Sequence, residues 1–232
     1  MKRYALLSLL TFVLLLPGIA SAQDAQLPWF VMTVRPTLGA GGGAITYSWD
    51  TFGGVADVEE TVQIKSIGYF SVIPEAYFMP TKGRGFIISA SLPISTGQGK
   101  FGTSDSDNNR LEDVELRQFS YFAVLGLGYQ WYFGERKATN LMLLPHLGIG
   151  RYSYTVDYQG ETYDSDPLGA GTFDITVGST HRFDSNFVIG GSLDLDYIGF
   201  SGDLGGNDLF DAKVNGRNNL MRLSLILGYA FK

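Results

Sequence analysis

The chain of 232 residues is 45% hydrophobic and 14% aromatic but only 17% charged, with 30 glycines, no cysteine and a formal net charge of −6. A soluble domain ordinarily carries roughly 25% charged residues, so part of this surface is expected to face something other than water. The acidic balance gives no support to a nucleic-acid partner, and the missing thiols exclude disulfides and the lipid-bearing cysteine of a bacterial lipoprotein.

MKRYALLSLLTFVLLLPGIASA opens the chain with Lys2 and Arg3, an apolar run from Ala5 to Leu16, and small residues at Ala20, Ser21 and Ala22. This is the form of a cleaved secretory signal peptide over residues 1–22, and its apolar core is too short for a membrane anchor. Residues 23–232 are then expected to form one domain. Removing Lys2 and Arg3 from the 17 basic residues leaves 15 against 23 acidic ones, a net charge of −8. Beyond the signal no apolar run approaches the roughly 18 residues of a transmembrane helix.

The rest of the chain alternates with period two. Strands are predicted near 30–46, 61–79, 85–96, 113–133, 141–157, 170–183, 187–200 and 219–231. In RQFSYFAVLGLGYQWYFG, Phe119, Tyr121, Ala123, Leu125, Leu127, Tyr129, Trp131 and Phe133 form one face, and Gln118, Ser120, Gly126, Gly128 and Gln130 belong to the other. Such a strand has an apolar face opposite a mixed face of small and polar groups. It is also longer than the five or six residues usual in globular sheets. Phe173, Ile175 and Val177 oppose Thr172, Asp174 and Thr176; Leu193, Leu195 and Tyr197 oppose Ser192, Asp194 and Asp196; Leu223, Leu225 and Leu227 oppose Arg222, Ser224 and Ile226.

The connections alternate as well. Short turns (PTKGRG, GERKATN, RFDSN) separate pairs of strands, and long polar segments lie around 48–60, 97–112, 158–169 and 201–218. Short turns on one side and long loops on the other are the pattern of an outer-membrane barrel. The Leu-Gly-x-Gly echo at Leu38–Gly41, Leu125–Gly128, Leu147–Gly150 and Leu168–Gly171 is not read as a dinucleotide fingerprint, because no helical period follows it. These glycines are expected mostly on the inner face, where a narrow barrel has little room.

A soluble ligand-binding barrel would turn the apolar face inward. About eight strands, each bringing five or more large apolar side chains, would overfill an eight-stranded lumen, so that face is expected to point outward, into lipid. An aromatic girdle is expected at Tyr129, Trp131, Phe133 and Tyr197, with Tyr132, Tyr77, Phe78, Tyr229, Phe231, Tyr152 and Tyr154 also placed at strand ends. Closure pairs every backbone group that lipid would otherwise leave unsatisfied. The expected fold is all-β, a closed antiparallel eight-stranded up-and-down transmembrane β-barrel.

The inner face collects Arg35, Lys65, Glu75, Asp174, Asp194, Asp196 and Arg222. Charges in a narrow lumen must pair or take up water, which leaves two readings: a filling ion-pair network, or a small pore. His146 and His181 are the candidates for general-base chemistry. Both are expected beside short turns, and no nucleophile motif or carboxylate pair accompanies them, so the chain is not expected to be an enzyme. The acidic runs at Ser104–Asn109 and Gly202–Asp208 lack the ordered spacing of a calcium loop. Neither a metal nor a cofactor is expected.

The signal peptide, the eight strands, the glycine-rich VRPTLGAGGG and the final LILGYAF resemble the small outer-membrane β-barrel superfamily of OmpA-like, OmpW-like and opacity-type proteins. The resemblance covers residues 23–232 and concerns architecture. It implies the bacterial outer membrane as location, and lipid and lipopolysaccharide as surroundings. It also implies recognition of the last strand by the barrel-assembly machinery at Gly228, Tyr229 and Phe231, although Lys232 follows where the aromatic is usually terminal. No peptidoglycan-binding domain follows, so cell-wall tethering is not expected. OmpA-like barrels close their lumen with a polar network, which favours a structural or surface-interaction role with long loops open to an extracellular ligand. OmpW-like resemblance keeps a small passive channel for small or apolar solutes as the alternative.

Overall fold

The computed structural model describes residues 27–50, 57–80, 85–102, 114–134, 137–158, 161–204 and 212–231. The predicted signal peptide, the acidic run at 104–109, most of the second acidic run, and Lys232 lie outside the described residues. Within them the chain forms β1 (Phe30–Asp50), β2 (Asp57–Phe78), β3 (Phe86–Ser91), β4 (Ile94–Gly102), β5 (Val114–Phe133), β6 (Thr139–Tyr158), β7 (Glu161–Asp164), β8 (Leu168–Arg182), β9 (Phe187–Leu204) and β10 (Ala212–Phe231).

Ten segments make eight walls. β3 and β4 are one strand interrupted at Leu92 and Pro93, because proline has no N–H for the ladder. Pairing survives the break: the Leu92 amide donates to the Pro74 carbonyl and the Phe122 amide to the Pro93 carbonyl, both at 3.1 Å. β7 and β8 are likewise one strand, and the Ser165 amide between them reaches the Tyr154 carbonyl at 2.8 Å. Every pairing is antiparallel, and β1 pairs with both β2 and β10, which closes the ring.

The register gives the tilt. A path of paired residues from Pro36 runs through Val72, Ile94, Tyr121, Arg151, Gly169, Ser201 and Asn215 and returns to β1 at Thr46, ten residues beyond its start. Eight strands with that stagger lean about 40° from the barrel axis. On β10 the outward apolar row runs from Met221 to Phe231, and at that tilt it stands roughly 25 Å tall, the height of a lipid-facing band.

The outer face is greasy where lipid would lie. Leu125, Leu147 and Ile149 are 68%, 69% and 76% exposed, and Tyr129, Trp131, Phe133 and Tyr197 are all exposed. Phe30, Phe78, Phe86, Phe187 and Phe231 line the short-turn edge, while Phe119, Tyr121, Phe173 and Tyr197 line the other.

Above that second edge the faces exchange character. The outward rows become Thr96, Gln98 and Lys100 on β4, Arg117 and Glu115 on β5, and Asn219, Arg217 and Asn215 on β10. The inward rows become apolar, with Ile45, Ile64, Leu116, Leu168, Ile198, Phe200 and Val214 in one buried cluster. The strands therefore run past the membrane as a water-facing barrel with an oily core. Segments predicted as long loops are partly strand: β4 reaches Gly102, β9 reaches Leu204 and β10 begins at Ala212.

Four aromatics predicted at the lipid interface point inward instead. Tyr152 is fully buried, Tyr154 and Tyr77 nearly so, and the Tyr132 hydroxyl donates to Met79 inside the barrel. Each stands an odd number of residues from an outward neighbour such as Ile149, Phe78 or Trp131, and the pleat turns it to the opposite face. Gly169 and Gly171 are corrected the other way. They share the outward row of Phe173, whereas the glycines of the other three echoes face in.

Candidate functional site

The lumen is filled in layers. At the short-turn end Val31, Met79, Ile87, Met142, Val188 and Ala230 form an apolar collar. A cavity of about 40 Å³ lies among Thr33, Tyr77, Gln130, Asn140 and Arg182. That is far below the several hundred Å³ of a small-molecule site.

The charged layer lies above the collar, built from inward positions of β1, β2, β6, β8, β9 and β10. Arg35, 2% exposed, meets Glu75 at 2.8 Å through Nε and Asp194 at 3.1 Å through Nη1. Asp194 also accepts from Thr176 (2.6 Å) and Ser224 (2.8 Å), and Glu75 accepts from the Tyr77 hydroxyl at 2.7 Å. Arg222 pairs with Asp196. His146 spends both ring nitrogens on carboxylates, Nδ1 on Asp174 at 2.6 Å and Nε2 on Glu75 at 3.2 Å. Four buried carboxylates thus surround two guanidiniums and one imidazole. Charges so far from water persist because each keeps a close partner and additional hydrogen bonds.

His146 is misplaced by the sequence reading, which sets it beside a short turn. It lies well inside β6, bonded to β2 and β8, and belongs to the charged layer. Gly126 makes the space: a Cβ there would strike the imidazole and the Ser89 hydroxyl. His181 does lie at the short-turn end, 2.8 Å from the Thr139 hydroxyl and edge-on to Phe183. Lys65 sits at an irregularity in the pairing of β2 with β4, and its side chain is outside the described residues. Arg35, Glu75, Asp174, Asp194, Asp196 and Arg222 are brought into one layer.

A third layer closes the tube at the membrane's far edge. The Gln118 Oε1 accepts from the Tyr69 hydroxyl at 2.6 Å, from the Tyr152 hydroxyl, and from Asn218 Nδ2 at 3.2 Å. Tyr152 stacks on Phe200 with ring centroids 4.1 Å apart and planes 9° apart. Sequence reasoning missed Tyr69, Gln118, Tyr152 and Asn218 as a group; the available signal was that all four occupy inward positions near the ends of apolar outer rows.

Gly228, Tyr229 and Phe231 end β10 at the short-turn edge. Tyr229 and Phe231 face outward with ring centroids 5.1 Å apart, and a Cβ at Gly228 would run into the Met32 carbonyl of β1.

No protein-family model and no curated protein matches the chain. Among solved structures, OprG from Pseudomonas aeruginosa is 11% identical with a TM-score of 0.46, covering 90% of this chain and 100% of its own. The outer-membrane protease OmpT from Escherichia coli is 10% identical with a TM-score of 0.45, covering 91% of this chain and 99% of its own. AlkL, an outer-membrane protein solved in lipid bilayers, is 18% identical with a TM-score of 0.38, covering 92% of this chain and 95% of its own. A closed antiparallel ring of eight walls, oily outside and charged within, is a small outer-membrane β-barrel. The protein is accordingly an integral protein of the bacterial outer membrane.

Proposed function

We propose that the protein is a sealed barrel with a structural or surface-interaction role, held by outer-membrane lipid and presenting its long loops to the cell exterior. The observation that carries this reading is closure in series. A solute would have to break the Arg35, Glu75 and Asp194 contacts and then the Tyr69, Gln118, Tyr152 and Asn218 cluster. Removing one partner of a buried charge pair costs about 3–5 kcal/mol, so thermal opening of both layers together is rare. The reading assigns no catalytic step, since both nitrogens of His146 are engaged by carboxylates. Gly228, Tyr229 and Phe231 are proposed as the contact for the assembly machinery. The test is planar-bilayer conductance of refolded protein. Silence is expected, and steady conductance would replace this reading with a passive channel.

A further inference from the structure

We infer that the short-turn mouth of the barrel is a blind cup that binds a small, freely dissolved oxyanion of phosphate size, held by Lys137 and Arg182. The inference goes beyond the sealed-barrel reading, because the cup ends at the charged layer and needs no passage through it.

The cavity of about 40 Å³ at that mouth has room for roughly three waters, too little for a metabolite and enough for one oxyanion. Its lining comes from every wall of the barrel, so an occupant sits near the axis, away from the lipid headgroups around the rim. Tyr77 lines it on the side of the charged layer, and its hydroxyl donates to Glu75 at 2.7 Å. Part of the wall is a fixed set of carboxamides and hydroxyls. Asn140 Nδ2 donates to Gln130 Oε1 at 2.6 Å, the Thr180 hydroxyl donates to Asn140 Oδ1 at 2.9 Å, and Gln130 Nε2 donates to the Tyr132 hydroxyl at 2.5 Å. Each carboxamide nitrogen carries a second N–H beyond these bonds, and donors already held in place cost little to order on binding.

The charges favour an anion. Among the described residues the cavity is lined by two cations, Lys137 and Arg182, and by no Asp or Glu, in a chain with 17 basic residues against 23 acidic. Asp184 adjoins Arg182 from the exposed side of the turn. A single carboxylate takes at most two of the five guanidinium N–H groups, and the planar fork suits an oxyanion. Arg182 is also close to the Tyr132 hydroxyl. Lys137 adds a second, independent sign. It holds a left-handed backbone, φ 51°, in the turn before β6, with its amide donating to the Gly134 carbonyl at 3.1 Å. That conformation suits glycine, and Gly134 of the same turn adopts it at φ 78°. A lysine there instead sets an ammonium at the rim of the cup.

The test titrates the refolded full chain, in dodecylmaltoside at physiological salt, with inorganic phosphate, followed by calorimetry and by amide NMR shifts. Wild type is expected to bind saturably in the millimolar range, with shifts gathered at Tyr132, Ala138, Asn140 and Arg182. Lys137→Gly relieves the left-handed backbone and so keeps the fold, while loss of the ammonium should weaken binding about 10-fold. Arg182→Gln should weaken it by a similar factor, and Arg182→Lys should recover part of the loss; circular dichroism shows whether each variant has folded. Full-strength binding by Lys137→Gly overturns the inference, as does a wild type whose shifts are absent or scattered over the surface. Equal competition by chloride at the same ionic strength would reduce the effect to general screening, and competition by phosphatidylglycerol micelles would transfer it to lipid; either result also overturns it. These outcomes are independent of conductance, so failure of the sealed-barrel reading is seen separately in the planar bilayer.

Discussion

Arg35 holds two carboxylates of different strands, Glu75 on β2 and Asp194 on β9, with almost no contact with water. Arg35→Met leaves Asp194 with hydroxyl partners alone and Glu75 with only His146 and Tyr77, and should destabilise the barrel by about 3–5 kcal/mol. Urea titration of protein refolded into vesicles measures this; a loss under about 1 kcal/mol would mean that the pair is not buried as described. Asp157 presents a different case, above the belt and partly exposed. The Thr162 hydroxyl donates to it at 2.7 Å and Arg117 at 2.8 Å, and together they hold its carboxyl below the usual range. A depressed acid stabilises fully above its unfolded value, roughly 4, and that contribution fades as pH falls through the folded value. Protection of the β6–β7 hairpin amides, taken relative to the intrinsic exchange rate at each pH, should therefore fall on acidification below that point in wild type and hold steady in Asp157→Asn. Identical profiles would remove Asp157 from the hairpin's support.

At the scale of the strand, position relative to the membrane decides what a substitution costs. Leu225 and Asn215 share the outward row of β10, the first inside the belt and the second above it. Leu225→Arg should cost roughly 2–4 kcal/mol, whereas Asn215→Arg should cost about 0–1 kcal/mol. Equal costs would mean that the band is placed wrongly. The same exchange of faces explains what the sequence disclosed. Within the band the alternation of Phe119, Tyr121, Leu125 and Leu127 with Gln118, Ser120 and Gly126 was plain, and so were the inward charges on β1, β2, β8, β9 and β10. Above the band the outward row reads Arg217 and Asn215, with Val214 turned in, and a search for outward hydrocarbon takes this for loop. Nearness to a strand end is a poor guide to Tyr152 and His146, because the phase set by Leu147 and Ile149 already turns both inward. The hydrogen-bonded cluster around Gln118 joins strands far apart in sequence, and no local pattern announces it.

Across the whole molecule, the two polar layers close the tube independently. Tyr152→Ala with Phe200→Ala removes the stack at the far edge and leaves the Arg35 and Arg222 pairs intact. The double variant should be less stable, yet still silent in planar bilayers. Conduction by that variant would show that the charged layer alone does not seal the tube. The exchange of surface character along each wall also sets the depth at which the barrel floats. Sinking by a single two-residue step would carry Arg151 into hydrocarbon, and rising by one would lift Phe119, Tyr121 and Tyr197 out of the membrane into the aqueous phase. Vertical drift is thus penalised in both directions, so the protein should prefer membranes of matching thickness and thin or thicken an ill-fitting bilayer around itself.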